Sequence, residues 1–148
     1  NQSELIFEVV QESDGGYCAE CLTENIFTQA ETWDELRQNI REAVRAFFFD
    51  QPAPSVIRIH FVKDEDSAQH ETSRDLSGAE LVTLLCKRWN YRLIHQTGSH
   101  MVLETEDPYH QRIAIPAHAF LRIGTLNSIL RAVAEHKGVS RESVIESR

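Results

Sequence analysis

Few residues in this chain stand at the spacing that a disulfide framework or a metal site requires. Cys18, Cys21 and Cys86 are the only three cysteines, and an odd set fits no disulfide framework. Cys18 and Cys21 have the CxxC spacing, but no second CxxC and no HxxxH completes a tetrahedral metal site. The pair also lies in a run with strand character, where residues three apart point to opposite faces, so both read as buried thiols. No apolar run approaches the roughly 20 residues that span a bilayer, and no basic-then-apolar leader opens the sequence, so the expected setting is the cytoplasm without a membrane partner. Basic residues are scarce in the first part. Residues 1–66 hold fourteen acids against five Lys/Arg, a net of −9, whereas residues 67–148 hold nine acids against ten Lys/Arg and six of the seven histidines. This asymmetry fits an acidic segment that covers an anion-binding surface on a neutral, His-rich one, or, as charge alone favours, an acidic solubilising surface.

The chain of 148 residues suffices for one ordinary domain or two small units that lean on each other. Its first unit, residues 1–64, opens with the β-rich run Leu5–Val10. The turn Asp14-Gly15-Gly16 follows, and the run from Tyr17 to Leu22 forms the partner strand. Thr32-Trp33-Asp34-Glu35 has the form of a capping box. Trp33, Leu36, Ile40, Ala43, Val44 and Phe47 then recur at helical spacing. Pro52 and Pro54 stop that helix, and Ser55–Val62 alternates as a further strand. The order is β-β-β-α-β, read as a helix over one face of an antiparallel sheet. Residues 65–75 lack periodicity and any large aliphatic side chain, as a linker does.

The second unit, residues 76–148, begins with another capping box, Ser77-Gly78-Ala79-Glu80, flanked by Leu76 and Leu81 as a hydrophobic staple. Three strand-like runs follow, joined at Thr97-Gly98-Ser99 and at Glu106-Asp107-Pro108-Tyr109. Thr125 is placed to cap a last helix ending at Gly138. Residues 140–148 form a short terminal turn of helix or fray. The order is α-β-β-β-α, and the fold class of the whole is α+β.

Ser77-Gly78, Gly98-Ser99-His100, Pro116-x-His118 and Gly124-Thr125-Leu126 together make residues 76–138 similar to the HicA toxin family. That resemblance implies a double-stranded-RNA-binding-like fold and a ribosome-independent, metal-independent mRNA endoribonuclease whose catalytic residue falls on His100. Residues 4–65 resemble the N-terminal part of HicB, the cognate antitoxin, through Gly16-Tyr17, Thr32-Trp33-Asp34-Glu35-Leu36 and Asn39…Glu42-Ala43. This implies a partial RNase H-like fold and an inhibitory role in a type II toxin–antitoxin pair. HicB proteins usually add a helix-turn-helix or ribbon-helix-helix segment. Nothing after Val62 supplies one, so DNA binding is not expected.

The residues then sort by chemistry. An imidazole with an ordinary pKa near 6.5, as for His100, can accept the proton of a ribose 2′-hydroxyl at neutral pH. A hairpin turn near solvent gives it room, and Gly98 lets a phosphate approach the backbone closely. With few packing contacts at such a turn, loss of the ring should cost little stability. Gly98, Ser99, Lys87, Arg88, Arg112, His118 and Arg122 are the candidates for RNA contact, with Arg92 beside them. His118 is placed either to reach substrate or to cap the last helix. His95 and His110 have no carboxylate or cysteine at ligand spacing, so neither a metal nor another cofactor is expected. Glu8, Asp14 and Glu20 invite comparison with the magnesium-binding carboxylates of RNase H. No further acid faces Glu8 and Glu20 from a helix, so they read as solvated charges. The partners expected are mRNA, the acidic unit on the second unit in cis or in trans, and further copies of the chain. The rival reading is a non-catalytic protein that holds structured RNA through shape and 2′-hydroxyl contacts.

Overall fold

The computed structural model describes residues 4–62 and 76–148; the expected linker at 65–75 lies outside the described residues. The first segment gives β1 (Glu4–Gln11), β2 (Tyr17–Cys21), β3 (Asn25–Ala30), α1 (Trp33–Phe47) and β4 (Val56–Val62). The second gives α2 (Gly78–Arg88), β5 (Arg92–Thr97), β6 (His100–Thr105), β7 (Gln111–Pro116), α3 (Ile123–Lys137) and α4 (Arg141–Glu146). The mixed α+β class and both element orders agree with the sequence reading. The sheet does not remain two sheets. Its seven strands run β4-β1-β2-β3-β7-β6-β5, and β3 of the first segment pairs in parallel with β7 of the second through Asn25↔Ile113 and Ile26↔Ala114.

A second difference concerns strand direction. The return through α1 sets β4 parallel to β1 over Glu4↔Val56 to Val10↔Val62, so the first segment is mixed rather than antiparallel. A strand, a crossing helix and a neighbouring strand in the same sheet produce this geometry. The β1–β2, β5–β6 and β6–β7 pairs are antiparallel as expected. Gly98 takes φ 56° in the two-residue link between β5 and β6, a left-handed conformation that glycine adopts without a Cβ penalty.

Each face of the joined sheet buries one core, and each core draws on both segments. On one face α1 packs Leu36, Ile40, Ala43 and Phe47 over Leu5, Phe7, Val9 and Ile26, and over Val102 and Ala114 from the second segment. On the other, α2, α3 and α4 enclose Leu103, Ile113 and Ile115 together with Phe27 from the first segment. Period-two alternation along β3 explains the split: Ile26 and Thr28 face α1, while Phe27 and Gln29 face α3. From Ile26 to Ala30 every residue of β3 is buried, as a strand covered on both faces must be.

Helix ends follow the sequence with small shifts. Ser77 and Glu80 form the full capping box of α2. At α1 the Thr32 hydroxyl accepts from the Glu35 amide, but the Glu35 carboxylate accepts from the Glu31 amide, one residue before the cap. That helix ends at Phe47, before Pro52. Thr125 does not cap α3. The helix starts at Ile123 without a side-chain cap, and the Thr125 hydroxyl instead donates to Cys18 Sγ at 3.3 Å. Gly138 ends α3 with φ 74° as foreseen. The terminal residues 141–146 are helical and bury Val144 and Ile145.

Phe27→Ala should cost about 3–5 kcal/mol, the range for truncating a buried phenylalanine. Because Phe27 lies in the core of the second segment, the loss should appear in both halves at once. Denaturant unfolding of single-tryptophan variants, keeping Trp33 or Trp89, should give coincident transitions that move together on this substitution.

Candidate functional site

Period two on β6 directs His100 to the same face as Val102, under α1. There α1 presents Glu42 and β3 presents Thr28. His100 Nδ1 lies 2.8 Å from Glu42 Oε1, and its Nε2 lies 2.7 Å from Thr28 Oγ1. An ionised carboxylate only accepts, so Nδ1 carries the proton and donates to Glu42, and Nε2 accepts from the Thr28 hydroxyl. The same Glu42 oxygen accepts from the Ser99 amide at 3.2 Å and from the Ser99 hydroxyl at 2.7 Å. A Cβ on Gly98 would fall 1.9 Å from Glu42 Oε2, so glycine there leaves the space that the carboxylate fills.

The side chain of His100 has no solvent exposure. This corrects the expectation of a turn histidine near solvent with little to lose. Burial pushes its pKa down from 6.5, and the hydrogen bond and charge of Glu42 oppose that without cancelling it. Burial acts to raise Glu42, but the bonds from Ser99 and His100 outweigh it and hold the carboxyl below its ordinary 4.5. The pair is therefore a carboxylate facing a neutral imidazole.

The remaining candidates divide. Gly98 and Ser99 stand beside His100, as expected. Gln29 gathers the loop before α3: its Nε2 donates to His118 Nδ1 at 3.1 Å and to the Phe120 carbonyl at 3.0 Å, and its Oε1 accepts from the Arg122 amide. The His118 side chain therefore does not cap α3, while its carbonyl accepts from the Gly78 amide at the start of α2 at 2.9 Å. The Arg122 guanidinium is held by Glu12, Asp14 and Glu31. Arg112 is bidentate to Asp50, with both contacts at 2.8 Å, and also meets the Phe47 carbonyl and Glu104. Lys87 and Arg88, exposed at the end of α2, lie on the opposite face of the sheet from His100 and are not brought to it. Arg92, on β5, pairs with Glu104 of β6 at 3.6 Å.

Sequence reasoning missed the residues of the first segment that make these contacts: Thr28, Gln29, Glu12, Glu31, Asp50 and the role of Glu42. The one signal available was a polar Thr28-Gln29 step inside an otherwise apolar β-run. Of the acids that were singled out, Glu8 and Glu20 are cross-strand neighbours, Glu20 pairs with Arg131, and Asp14 pairs with Arg122. Cys18 and Cys21 are buried on opposite faces, and burial raises the Cys18 thiol to about 12. His95 stacks on Phe49 of the first segment, with ring centroids 4.0 Å apart. Contrary to the expectation of no carboxylate at ligand spacing, Glu104, Glu106 and His110 bring ligand atoms within 4.8 Å of one another. Arg112 Nη2, 2.7 Å from Glu104, already supplies positive charge there. A polar cleft of about 640 Å³ opens at the far end of the β3–β7 seam, lined by Glu20, Asn25, Gln111 and His136 among others. No helix among the described residues is long and apolar enough to cross a membrane.

A UPF0150 protein of Thermotoga maritima is 43% identical over 63 residues, which are 43% of this chain and 89% of that protein. A UPF0150 protein of Archaeoglobus fulgidus is 38% identical over 48 residues, 32% of this chain and 73% of that protein. Through this stretch the chain belongs to the UPF0150 proteins. No family model matches the chain, and no solved structure matches it.

Removing the His100 ring strands the buried Thr28 hydroxyl, at about 1–3 kcal/mol for a buried group left unpaired, and takes one of three donors from Glu42. His100→Ala should therefore destabilise clearly. The pH dependence has a definite sign. With its folded pKa below 6.5, His100 takes up a proton more readily in the unfolded chain, so its contribution is full above 6.5 and is lost as pH falls through the folded value. Denaturant titrations between about pH 7.5 and about pH 5 should show wild type losing stability relative to His100→Gln.

Proposed function

We propose that the chain is a fused antitoxin–toxin pair of the HicB–HicA type. In this reading the first segment is a partial RNase H-like inhibitor, and the second is a double-stranded-RNA-binding-like mRNA endoribonuclease held inactive in cis. The observation that carries the reading is the contact between Glu42 and His100. The residue that the resemblance makes catalytic is the one into which the first segment inserts a carboxylate, at 2.8 Å and with no exposure left. A histidine that served only the core of the second segment would find its partners there. Here both ring nitrogens bond to the first segment.

In the uncovered second segment, Nε2 of the neutral imidazole is the atom that removes the proton of a ribose 2′-hydroxyl. The oxygen then attacks the adjacent phosphorus, the bond to the 5′-oxygen breaks, and that oxygen takes a proton from water, leaving a cyclic phosphate and a free 5′-hydroxyl, while the imidazolium gives up its proton to solvent. Charge on the phosphate is met by the Ser99 amide and hydroxyl, donors already aimed at an anion.

RNA cleavage by the full chain, by residues 76–148 alone and by the same fragment carrying His100→Ala tests this. The fragment should cut, the full chain should be at least about 100-fold slower, and the His100→Ala fragment should bind RNA without cutting, since removing a general base costs about 10²–10⁴ in rate. A folded fragment that binds RNA without cutting it would leave the second segment as an RNA-binding module.

A further inference from the structure

We infer that the outer edge of β4 is an interface with a second copy of this chain, the two β4 strands pairing antiparallel about a two-fold axis at Ile59. The sheet order places β4 at one end and β5 at the other. Each therefore leaves a row of backbone N–H and C=O groups without a neighbouring strand among the described residues. The two edges differ. The ladder of β5 to β6 is interrupted by an irregularity between Leu93 and His95, a device that blunts an edge. The ladder of β4 to β1 runs unbroken from Glu4↔Val56 to Val10↔Val62 and leaves a regular edge of seven residues. That edge is also apolar, with Val56, Phe61 and Val62 exposed to 44%, 53% and 38%. Such an edge is a template for a further strand.

The order of the side chains says which strand. Val56-Ile57-Arg58-Ile59-His60-Phe61-Val62 has the same character read from either end: apolar, apolar, basic, apolar, basic, apolar, apolar. A two-fold axis lays an antiparallel strand on its own reverse. Val56 then meets Val62 of the second copy, Ile57 meets Phe61, Arg58 meets His60, and Ile59 meets its own counterpart. Positions paired in this way have the same parity, so the outward N–H and C=O groups of one strand face those of the other. Directly opposed residues share a face. Ile57 and Ile59 lie against the core under α1, and Phe61 stands edge-on to Tyr17 and Trp33, so pairing continues that core from one copy into the next. On the other face Glu4 of β1 holds Arg58 at 3.1 Å, and Glu8 of β1 lies beside His60 in the register. Each of the two bases that meet is thus flanked by an acid of its own copy. Charge permits the approach. Residues 1–66 carry a net of −9, yet no acid stands between Gln51 and Val62, so two copies meet here without the repulsion of the remaining acidic surface.

Sedimentation of the full chain over a dilution series tests this, with circular dichroism to establish that each variant is folded. Wild type should pass from monomer to dimer as concentration rises. Val56→Lys combined with Val62→Lys should weaken the dimer about tenfold or more, because like charges then stand directly opposite at both ends of the pair. Substitutions of His60 test the register, and their effect on the dimer opposes their effect within one copy. Inside a copy, position 60 adjoins Glu8, so lysine is the better neighbour there and glutamate the worse. Across the axis it meets Arg58, so His60→Glu should dimerise about tenfold more tightly than His60→Lys, each change acting twice across the axis. Should the double lysine variant fail to fold, the two His60 variants decide by themselves. A chain that stays monomeric at every concentration leaves the edge to a different partner and overturns the inference. A dimer indifferent to these substitutions, or tighter with His60→Lys than with His60→Glu, overturns it as well. None of these readouts depends on RNA cleavage, since His100 lies on β6, with β1, β2, β3 and β7 between it and β4.

Discussion

The parallel pairing of β3 with β7 is the constraint from which the rest follows. It involves two residue pairs, Asn25 with Ile113 and Ile26 with Ala114, and it makes a central strand of what would otherwise be a sheet edge. A central strand is covered on both faces and sends alternate residues to each. Thr28 and Gln29, adjacent in sequence, are thereby buried on opposite faces. Each needs a polar partner because an unpaired buried group is expensive. Thr28 finds His100 on the α1 face, and Gln29 finds His118, Phe120 and the Arg122 amide on the α3 face. The apolar residues beside them complete the two cores, with Ile26 under α1 and Phe27 among α2, α3 and α4.

Charge then fixes the register that apolar burial leaves loose. Six acids of the first segment reach across to the second. Glu42 reaches Ser99 and His100, Asp50 reaches Arg112, Glu20 reaches Arg131, and Glu12, Asp14 and Glu31 converge on Arg122. The pair between Glu20 and the half-exposed Arg131 is worth little by itself. The Arg112 and Arg122 side chains are only 11% and 9% exposed, so stranding either without its carboxylates would be far more costly than the pairing is favourable. These contacts make one mutual arrangement of the segments much better than its neighbours.

Much of this was legible in the sequence because it depends on local pattern. The capping box at Ser77, the stripe from Leu36 to Phe47, the turn at Gly98-Ser99 and the αL glycine at 138 follow from residues a few positions apart. The position of His100 at the head of a strand was legible for the same reason. Its burial was not. That depends on α1 crossing over β6, a contact 58 residues away in the chain, and periodicity carries no information about which helix covers which strand. The parallel direction of β4 and the seam itself are likewise choices between long-range partners. Thr125 shows a smaller failure of the same kind. A good cap residue was drawn into the first turn of α3 because Cys18, from the first segment, lay within reach of its hydroxyl.

That both cores are shared within one polypeptide has a consequence for how the two segments part. Segments on separate chains separate on dilution, and their occupancy follows the supply of each. Here one polypeptide tethers the two segments, so the local concentration of one at the other is fixed whatever the concentration of the protein. Stoichiometry cannot drift from one to one. Whether the face bearing His100 is ever open is then set by an internal opening equilibrium of this fold and by anything that severs the tether, and abundance has no part in it.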